Sequence, residues 1–273
     1  MGRLITSFRN PRVKYLRSLR LRKVRQREGR FLIEGIRIVE EALTCRAPIE
    51  TLVCAPELLV SERAQALVEK FDRRRTLTLS SDLFRRLSGR DEPQGIAAVV
   101  RIENRPLETI QPSDKMLVVV TWQLRDPGNL GAIIRTADAV GATGVVVVEP
   151  SVDLYDPQTV RATMGSLFAL PVVRSMNQII LSAWYAEIRS AGLPLLVVAS
   201  SAHGKQVHYD LDYRRPLVLL VGSERSGLPA SIRETADATV RLPMRGRATS
   251  LNVSAAAAAL LYEVIRQRRA SDM

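Results

Sequence analysis

The 273-residue sequence is poor in the side chains that most often serve enzymes as metal ligands, nucleophiles or bases. It contains two cysteines and two histidines. Cys45 and Cys54 are separated by eight residues, and His203 and His208 lie far away along the chain. This spacing fits neither a disulfide framework nor a metal site, so we expect two small buried thiols and no bound metal.

Long hydrophobic runs are also missing, although 46% of the residues are hydrophobic. No run of about 18 apolar residues is present, and the N-terminus leads into basic residues instead of an apolar signal core. The composition indicates a soluble globular protein with no membrane association, for which the cytoplasm is the expected location. The length allows one large domain or two ordinary ones.

The sequence lacks the motifs of several common enzyme classes. It has no G-x-x-x-x-G-K-[ST], G-x-G-x-x-G, G-x-S-x-G or H-E-x-x-H, and neither histidine stands in a motif that indicates a base. If the protein is an enzyme, we expect its chemistry to use neither histidine, nor a metal, nor a covalent serine.

Acidic residues are scarce at the N-terminus. The whole chain carries a formal charge of +12, and residues 1–30 hold eleven Lys or Arg against one acid, Glu28. A solvated helix face or a flexible basic arm would have the same composition, but crowding so much charge favours a polyanionic partner, RNA or DNA.

The basic N-terminal segment has helical spacing. Apolar residues from Val13 to Val24 recur along 11–27 with basic residues on the other faces, which predicts one amphipathic helix. We expect seven of its side chains to contact this partner, RNA or DNA: Arg12, Lys14, Arg17, Arg20, Arg22, Lys23 and Arg25.

Two domains are indicated by the alternation of elements. After Gly29, short strand and helix patterns alternate up to Ile102 and predict a small α/β unit. Two prolines and polar residues between Glu103 and Lys115 are typical of a connection. We predict a basic domain that binds RNA or DNA over 1–105, a linker over 106–115 and a second domain over 116–273.

The second domain alternates near-continuous apolar runs with helical patterns. Such runs predict strands that are buried on both faces, in an open parallel sheet covered by helices. Six strands are predicted: Leu117–Trp122, Gly144–Val148, Pro171–Val173, Leu195–Ala199, Leu217–Val221 and Ala238–Leu242. Ligands of such sheets bind beyond the carboxyl ends of the strands.

Three polar stretches follow predicted strands at that edge. The first, 126–142, has Asn129 as an expected helix N-cap and Arg135 six residues later; a simple cap with a surface arginine would look the same. In the second, 221–229, a glycine would let a ligand approach the backbone, and Glu224 would bind a ligand or cap a helix. In the third, 242–254, Ser250 or Asn252 would cap an alanine-rich helix ending near 268.

Together the three stretches resemble the motifs of a known enzyme family. N-L-G-A-I-I-R-T-A-D-A-V-G at 129–141, G-S-E-R-S-G-L-P at 222–229 and P-M-R-G-R-A-T-S-L-N-V-S at 243–254 are similar to the three motifs of the SpoU family, in the same order. R-A-T-M-G-S-L-F-A-L-P at 161–171 adds to the likeness. This family, also called TrmH-like, comprises RNA ribose 2'-O-methyltransferases of the SPOUT superfamily.

The resemblance implies more than the residues alone allow. It implies an α/β SPOUT domain with an open parallel sheet and a C-terminal trefoil knot, an exception to the avoidance of threaded chains. The segments 31–43 and 93–99 resemble the family's α/β/α RNA-binding domain. A homodimer formed through the methyltransferase domain, and ribosomal RNA as the substrate, are further expectations.

The resemblance also implies the site residues. S-adenosylmethionine would contact six: Ala199, Ser200, Gly222, Leu242, Met244 and Leu251. Arg135 matches the family's catalytic arginine, and its polar partners would be Asn129, Glu224, Ser250 and Asn252. Because a guanidinium stays protonated in proteins, we expect Arg135 to act electrostatically, on the phosphate and the developing alkoxide. Transfer RNA as the substrate, or a non-catalytic RNA-binding or ribosome assembly factor, stay as alternatives.

Overall fold

The computed structural model describes residues 4–175 and 177–269. The strands are β1 (Arg30–Glu34), β2 (Ile49–Cys54), β3 (Thr76–Thr78), β4 (Ile96–Arg101), β5 (Leu117–Trp122), β6 (Gly144–Val148), β7 (Val172–Ser175), β8 (Leu196–Ser200), β9 (Gln206–Val207), β10 (Leu217–Val221) and β11 (Ala238–Arg241). The α-helices are α1 (Pro11–Ser18), α2 (Arg22–Glu28), α3 (Ile36–Thr44), α4 (Glu62–Lys70), α5 (Ser81–Leu87), α6 (Pro127–Ala139), α7 (Pro157–Thr163), α8 (Ser166–Ala169), α9 (Gln178–Ser190), α10 (Ala230–Arg233) and α11 (Val253–Arg269).

The chain forms two compact units. The first contains the described residues up to Glu103 together with Asp153–Ala169, and the second contains Asn104–Val152 and the described residues from Leu170 onward. Residues 153–169 were predicted to belong to the second domain, whereas in the structure they pack into the first unit. The predicted boundaries 1–105, 106–115 and 116–273 stay a prediction.

The first unit is a four-stranded mixed sheet with helices. Its strand order is β1-β4-β2-β3, in which β4 runs antiparallel to both neighbours and β3 runs parallel to β2. The small α/β unit expected from the alternating patterns is confirmed. Neither cysteine of this unit forms a disulfide, but only Cys54 is buried; the expectation that Cys45 is also buried was wrong, because it follows the end of α3 at the surface.

Aromatic contacts explain why a segment from the second half of the sequence belongs to the first unit. The ring of Phe31 on β1 lies 4.7 Å from the ring of Tyr155 and 6.3 Å from that of Phe168. Gly165, with φ of +106°, lets the backbone pass so close to Glu41 that a Cβ there would lie 2.7 Å from the Glu41 Cβ. The segment is therefore part of this unit's core.

The predicted amphipathic helix over 11–27 is two helices in the structure. Val13 and Leu16 of α1 and Leu19 after it are buried as the spacing predicted, but the helix ends at Ser18 and α2 starts at Arg22. Arg25 explains the break, because its guanidinium donates hydrogen bonds to the carbonyl oxygens of Leu19 at 3.0 Å and of Arg20 at 2.6 Å. A continuous helix would use those carbonyls internally.

The same guanidinium forms a buried ion pair. Arg25 is 2% exposed, and its Nη2 lies 2.6 Å from an Asp153 carboxylate oxygen that is also within 3.2 Å of its Nε. A second carboxylate, Asp156, lies 3.8 Å away. Arg25 was predicted to bind RNA; that prediction was wrong, because the side chain is buried and its donors are engaged inside the unit.

The second unit is a seven-stranded parallel sheet in the order β7-β6-β5-β10-β8-β11-β9. One face is covered by α9 and α10, whose Leu181, Trp184 and Ile232 share a core with Val118 and Val120 of β5. On the other face α6 packs on β5 and β6, and α11 packs on α6. The predicted parallel sheet covered on both faces is confirmed.

Strand β9 was not predicted. It has two residues, Gln206–Val207, and pairs with β11 at the edge of the sheet, so it is too short to show any periodicity. Within residues 4–175 and 177–269, no helix combines the length and apolar character that crossing a bilayer requires.

Replacing Arg25 tests its role in the first unit. We expect Arg25→Met to lower the free energy of unfolding by about 3 to 5 kcal/mol, because Asp153 would be left as a buried charge without its partner. Urea unfolding measures this change. The matched control is Arg12→Met, at an exposed position of α1, for which we expect a change within about 0.5 kcal/mol. Equal unfolding midpoints for the two variants would contradict the structural role.

Candidate functional site

The three polar stretches meet at one edge of the parallel sheet. The first follows β5, the second follows β10 and the third follows β11. Strands β5 and β10 are neighbours, β8 lies next to β10, and β11 lies next to β8. Because all these strands are parallel, their carboxyl ends bring the three loops together, as the sequence analysis predicted.

The loop after β5 is capped by a different residue from the one expected. Asp126, not Asn129, is the N-cap of α6: its Oδ1 accepts a hydrogen bond from the Asn129 N–H at 2.7 Å, and Pro127 occupies the first helical position. The Asn129 side chain is therefore not needed as a cap.

Glu224 joins the loop after β10 to the loop after β5. Its carboxylate accepts hydrogen bonds from the backbone N–H groups of Arg125 and Asp126, each at 3.2 Å, and from Asn129 Nδ2 at 3.1 Å. The sequence left two roles open for Glu224, binding a ligand or capping a helix. These contacts correspond to neither role. The carboxylate instead fixes the position of Asn129.

These donors keep Glu224 ionised. Partial withdrawal from water by itself raises the pKa of the carboxyl group, but hydrogen bonds from its own N–H, from Asn129 and from the N–H groups of Arg125 and Asp126 outweigh this, so the pKa is lowered. At neutral pH Glu224 is therefore a carboxylate that accepts hydrogen bonds, and it is a weak base.

Asn252 links the third loop to the same network. Its Nδ2 donates to Asn129 Oδ1 at 2.9 Å, while its own Oδ1 accepts from the N–H groups of Ser254 at 2.9 Å and Ala255 at 3.3 Å. Asn252 thus caps α11, as the sequence allowed, and also orients Asn129. One asparagine, Asn129, consequently bridges Glu224 and Asn252.

Gly222 is required for a reason that the sequence did not reveal. The loop after β10 folds back on itself through two backbone hydrogen bonds between Ser223 and Gly227, at 2.9 and 3.2 Å. A Cβ on Gly222 would lie 2.3 Å from the carbonyl carbon of Gly227. The glycine was expected to let a ligand approach the backbone closely. In the structure it lets the backbone of the same loop, at Gly227 and Leu228, approach closely.

A cavity of about 390 Å³ lies among these loops. Its volume is within the range of small-molecule sites. Eight of the predicted site residues line it: Ser200, Gly222, Glu224, Leu242, Met244, Ser250, Leu251 and Asn252. Ala199 does not line it, because this residue of β8 is fully buried and its side chain belongs to the hydrophobic core.

Arg135 lies outside the cavity wall. It is exposed on α6, and it makes no hydrogen bond or ion pair with residues 4–175 or 177–269. The six-residue separation from Asn129 places the two side chains on different faces of α6. The structure therefore brings Asn129, Glu224 and Asn252 together and leaves the Arg135 donors available.

Several residues of the cavity wall were not predicted from the sequence. His203, Thr249, Arg225 and Arg233 all line it. His203 could have been predicted from its position three residues after the end of β8, because the loops after the strands were expected to hold the ligand. Within the described part of the chain, no cluster of three or more His, Cys, Asp or Glu side chains is arranged to hold a metal.

In the first unit, the basic residues of α1 and α2 differ in accessibility. Six of the seven predicted RNA contacts are exposed: Arg12, Lys14, Arg17, Arg20, Arg22 and Lys23. Arg20 also donates to the carbonyl oxygen of Leu87 at 2.6 Å. Without Arg25 the set has six exposed cations, five on α1 and α2 and Arg20 in the turn between them.

Comparison with protein families assigns both halves of the chain. Residues 116–262 match the model of the SpoU rRNA methylase family, and residues 10–98 match that of an MRM3-like substrate binding domain. The protein belongs to the SpoU rRNA methylase family, and the resemblance seen in the sequence motifs is confirmed.

Individual relatives agree over nearly the whole length. The chain is 38% identical over 248 residues to the 23S rRNA (uridine(2479)-2'-O)-methyltransferase of Streptomyces viridochromogenes, covering 90% of this chain and 86% of that protein. It is 32% identical to the 23S rRNA (guanosine(2553)-2'-O)-methyltransferase RlmP of Bacillus subtilis, covering 95% and 98%. The crystal structure of AviRb from Streptomyces viridochromogenes in complex with AdoMet has a TM-score of 0.87 at 36% identity, covering 95% and 98%.

The hydrogen bonds of Glu224 predict a pH dependence of stability. Because the folded-state pKa lies below the ordinary value of 4.5, the carboxylate stabilises the fold above pH 4.5, and this contribution is lost as the pH falls through the lower, folded-state pKa. Because Glu224 is solvent-exposed, we expect Glu224→Gln to be less stable than the natural protein by only about 0.5 to 1 kcal/mol at pH 7, with this difference narrowing as the pH falls below 4.5.

Chemical unfolding at a series of pH values measures this gap. The control is Glu187→Gln, at an exposed position of α9, which we expect to follow the natural protein at every pH. A stability difference for Glu224→Gln that stays constant from pH 7 to well below pH 4.5 would contradict the proposed role of the ionised carboxylate.

Proposed function

We propose that this protein transfers the methyl group of S-adenosylmethionine to a ribose 2'-hydroxyl of 23S ribosomal RNA. The observation that carries the proposal is the network in which Asn129 bridges Glu224 and Asn252, because it unites the three family motifs beside one cavity. The names of the two relatives, both 23S rRNA 2'-O-methyltransferases aligned along nearly the full chain, support the same substrate. A ribosomal RNA substrate also agrees with the expected place of action, the cytoplasm.

The cavity in the second unit fits the proposed cofactor. Apolar side chains of Leu242, Met244 and Leu251 face it together with the end of β8 at Ser200 and the tight loop at Gly222. We propose that these five residues hold S-adenosylmethionine, with Ala199 supporting Ser200 from the core. When bound, the sulfonium group supplies an electrophilic methyl group; the structure of the AviRb complex with AdoMet supports this choice of cofactor.

The polar residues are proposed to position and stabilise the reacting oxygen. Arg135 has five N–H donors that no described residue engages, so it can hold an RNA phosphate and stabilise the developing 2'-alkoxide. Asn129, Asn252 and Ser250 are proposed to orient the ribose, and Glu224 to fix Asn129. The lowered pKa of Glu224 argues against this residue as the base that accepts the hydroxyl proton.

The first unit is proposed to recognise the RNA. The match of residues 10–98 to a substrate binding domain supports this role, and the six exposed cations of α1, α2 and the turn between them provide contacts to phosphates. Such contacts carry little sequence information, so they favour RNA in general rather than one nucleotide.

We propose that two copies associate through α11. Ala255, Ala259, Tyr262 and Arg266 are exposed at the spacing i, i+4, i+7 and i+11, so they form one face of this helix. Tyr262 is 58% exposed on this face, and an aromatic side chain with a polar end suits an interface. Small residues beside it would let two helices approach closely.

The trefoil knot implied by the family is also part of the proposal. In the sheet, β10 lies between β5 and β8, while β11 lies on the far side of β8. The chain therefore adds β10 between two strands formed earlier in the sequence. It then adds β11 beyond β8, before α11 begins. This strand order is compatible with a threaded C-terminal segment.

The enzymatic proposal predicts a specific loss in one variant. We expect Arg135→Ala to lower the rate of methyl transfer to ribosomal RNA by at least about 100-fold, because an electrostatic contact to the developing charge is removed. Transfer of a radioactive methyl group to 23S RNA measures the rate, and calorimetry measures S-adenosylmethionine binding, which should be unchanged.

Arg215→Ala is the matched control, since Arg215 is an exposed arginine of the same unit away from the cavity. It should methylate RNA at the natural rate. If the natural protein binds no S-adenosylmethionine and leaves RNA unlabelled, the enzymatic proposal is wrong; if Arg135→Ala keeps full activity, only the role of Arg135 is wrong.

The dimer proposal predicts that a charge on the exposed face of α11 separates the two copies. We expect Ala259→Glu to be a monomer by light scattering where the natural protein is a dimer, because the carboxylate would be buried without a partner. Ala186→Glu places the same charge on an exposed position of α9 and should stay dimeric. A natural protein that is monomeric at all concentrations would refute the proposal.

A further inference from the structure

A second cavity, of about 320 Å³, lies wholly within the first unit. It is formed by the turn after α1, the end of β1, the segment after α5 and the start of α7. None of its lining residues belongs to the proposed cofactor site. Its volume is again that of a small-molecule site.

Three guanidinium groups surround this cavity. Arg20 donates one hydrogen bond to the carbonyl oxygen of Leu87 at 2.6 Å, and Arg90 donates one to that of Glu34 at 3.0 Å. Arg161 donates one to a neighbouring carbonyl at 3.3 Å. Each guanidinium is held in place by one bond, and with five N–H donors each keeps others for a ligand.

The two carboxylates at the cavity are already engaged within the protein. Glu34 accepts hydrogen bonds from the Ser88 hydroxyl and from the Gly89 N–H, the latter at 3.1 Å. Asp156 is the N-cap of α7 and accepts from the Gln158 N–H at 2.9 Å. The lining therefore carries three positive and two negative side chains, and both carboxylates already accept hydrogen bonds from the protein. The excess positive charge and the remaining N–H donors favour binding of an anion.

The wall between these charges is apolar. Leu19, Ile38, Leu87 and Val160 are buried side chains that line the cavity, and Leu32 is half-buried beside them. An inorganic anion would gain nothing from such a wall. A ligand with a flat apolar part and an attached phosphate would use both the wall and the guanidinium groups.

We propose that this cavity binds one unstacked nucleotide of the RNA substrate, with the base against the apolar wall and the phosphate on Arg20, Arg90 and Arg161. Sequence-specific recognition of RNA mostly targets such unpaired bases, which proteins hold by stacking, by arginine planes and by hydrogen bonds. The inference rests on the proposed RNA substrate, and it adds a site where a base, not only the phosphate chain, is read.

Filling the cavity tests the proposal without removing any charge. Gly89 lines the cavity, its φ is compatible with other residues, and a Cβ there would meet only Arg20 Nη2, at an ordinary 3.7 Å. Gly89→Leu therefore places a side chain in the cavity with little strain on the backbone. We expect it to weaken binding of a single-stranded RNA oligonucleotide by about tenfold, as for the loss of one base contact.

A pair of arginine variants separates this site from general charge. Arg161→Gln removes one guanidinium from the cavity, whereas Arg74→Gln removes one from an exposed helical turn of the same unit that does not line it. We expect Arg161→Gln to weaken RNA binding clearly more than Arg74→Gln. Fluorescence anisotropy at fixed salt measures both, and thermal unfolding shows that each variant is folded.

The outcomes are distinct. The proposal is overturned if folded Gly89→Leu binds RNA like the natural protein, or if the two arginine variants lose equal affinity. It is also overturned if nucleoside monophosphates bind the natural protein and not Gly89→Leu while RNA affinity is unchanged, since the cavity would then take a free nucleotide. Because binding is measured without methyl transfer, an inactive protein would refute the proposed reaction and not this site.

Discussion

The geometry of the methyltransferase unit depends on one carboxylate. Glu224 accepts hydrogen bonds from two backbone N–H groups and from Asn129, so the loop after β10 holds the loop after β5 in a fixed position. Asn252 then reaches the same asparagine from the loop that precedes α11. These bonds join segments about a hundred residues apart in sequence, and each is charge-assisted or completes the hydrogen bonding of a side-chain amide. Without the carboxylate, the loop after β10 would lose its hydrogen bonds to the loop after β5, and Asn129 would keep only its bond to Asn252.

A buried charge has the corresponding role in the first unit. The Arg25 guanidinium explains the end of α1, because it donates hydrogen bonds to the carbonyl oxygens that a continuing helix would use. It also forms an ion pair with Asp153. Through that pair the segment 153–169 becomes part of a unit whose other residues end at Glu103. The arrangement matters for function, because α7 supplies Arg161 and Val160 to the second cavity. A structural ion pair thus creates a binding surface from two distant parts of the chain.

These two charges also mark where prediction from sequence succeeded and failed. The strands Leu117–Trp122 and Gly144–Val148 were predicted to the residue, because continuous apolar runs bounded by polar loops report burial directly. The role of Arg25 was missed, since its partner Asp153 lies 128 positions away and a basic helix predicts solvent exposure for every cation on its polar faces. Asn129 was taken for a cap because asparagine favours that position, yet Asp126 three residues earlier competes for it and wins. Local patterns specify elements; partners distant in sequence decide what each polar side chain does.

The two cavities can change independently through substitution, because they share no lining residue. The cofactor cavity is built from loops after strands of the second unit, and the nucleotide cavity from residues of the first, with no residue common to both. Substitutions that alter the base contact need not disturb Glu224 and its partners, because effects of sites without shared contacts are close to additive. Two relatives that are 38% and 32% identical to this chain carry names that specify a uridine and a guanosine. One set of hydrogen bonds in the second unit can keep the reaction constant while the recognition site in the first unit varies. This separation permits that difference.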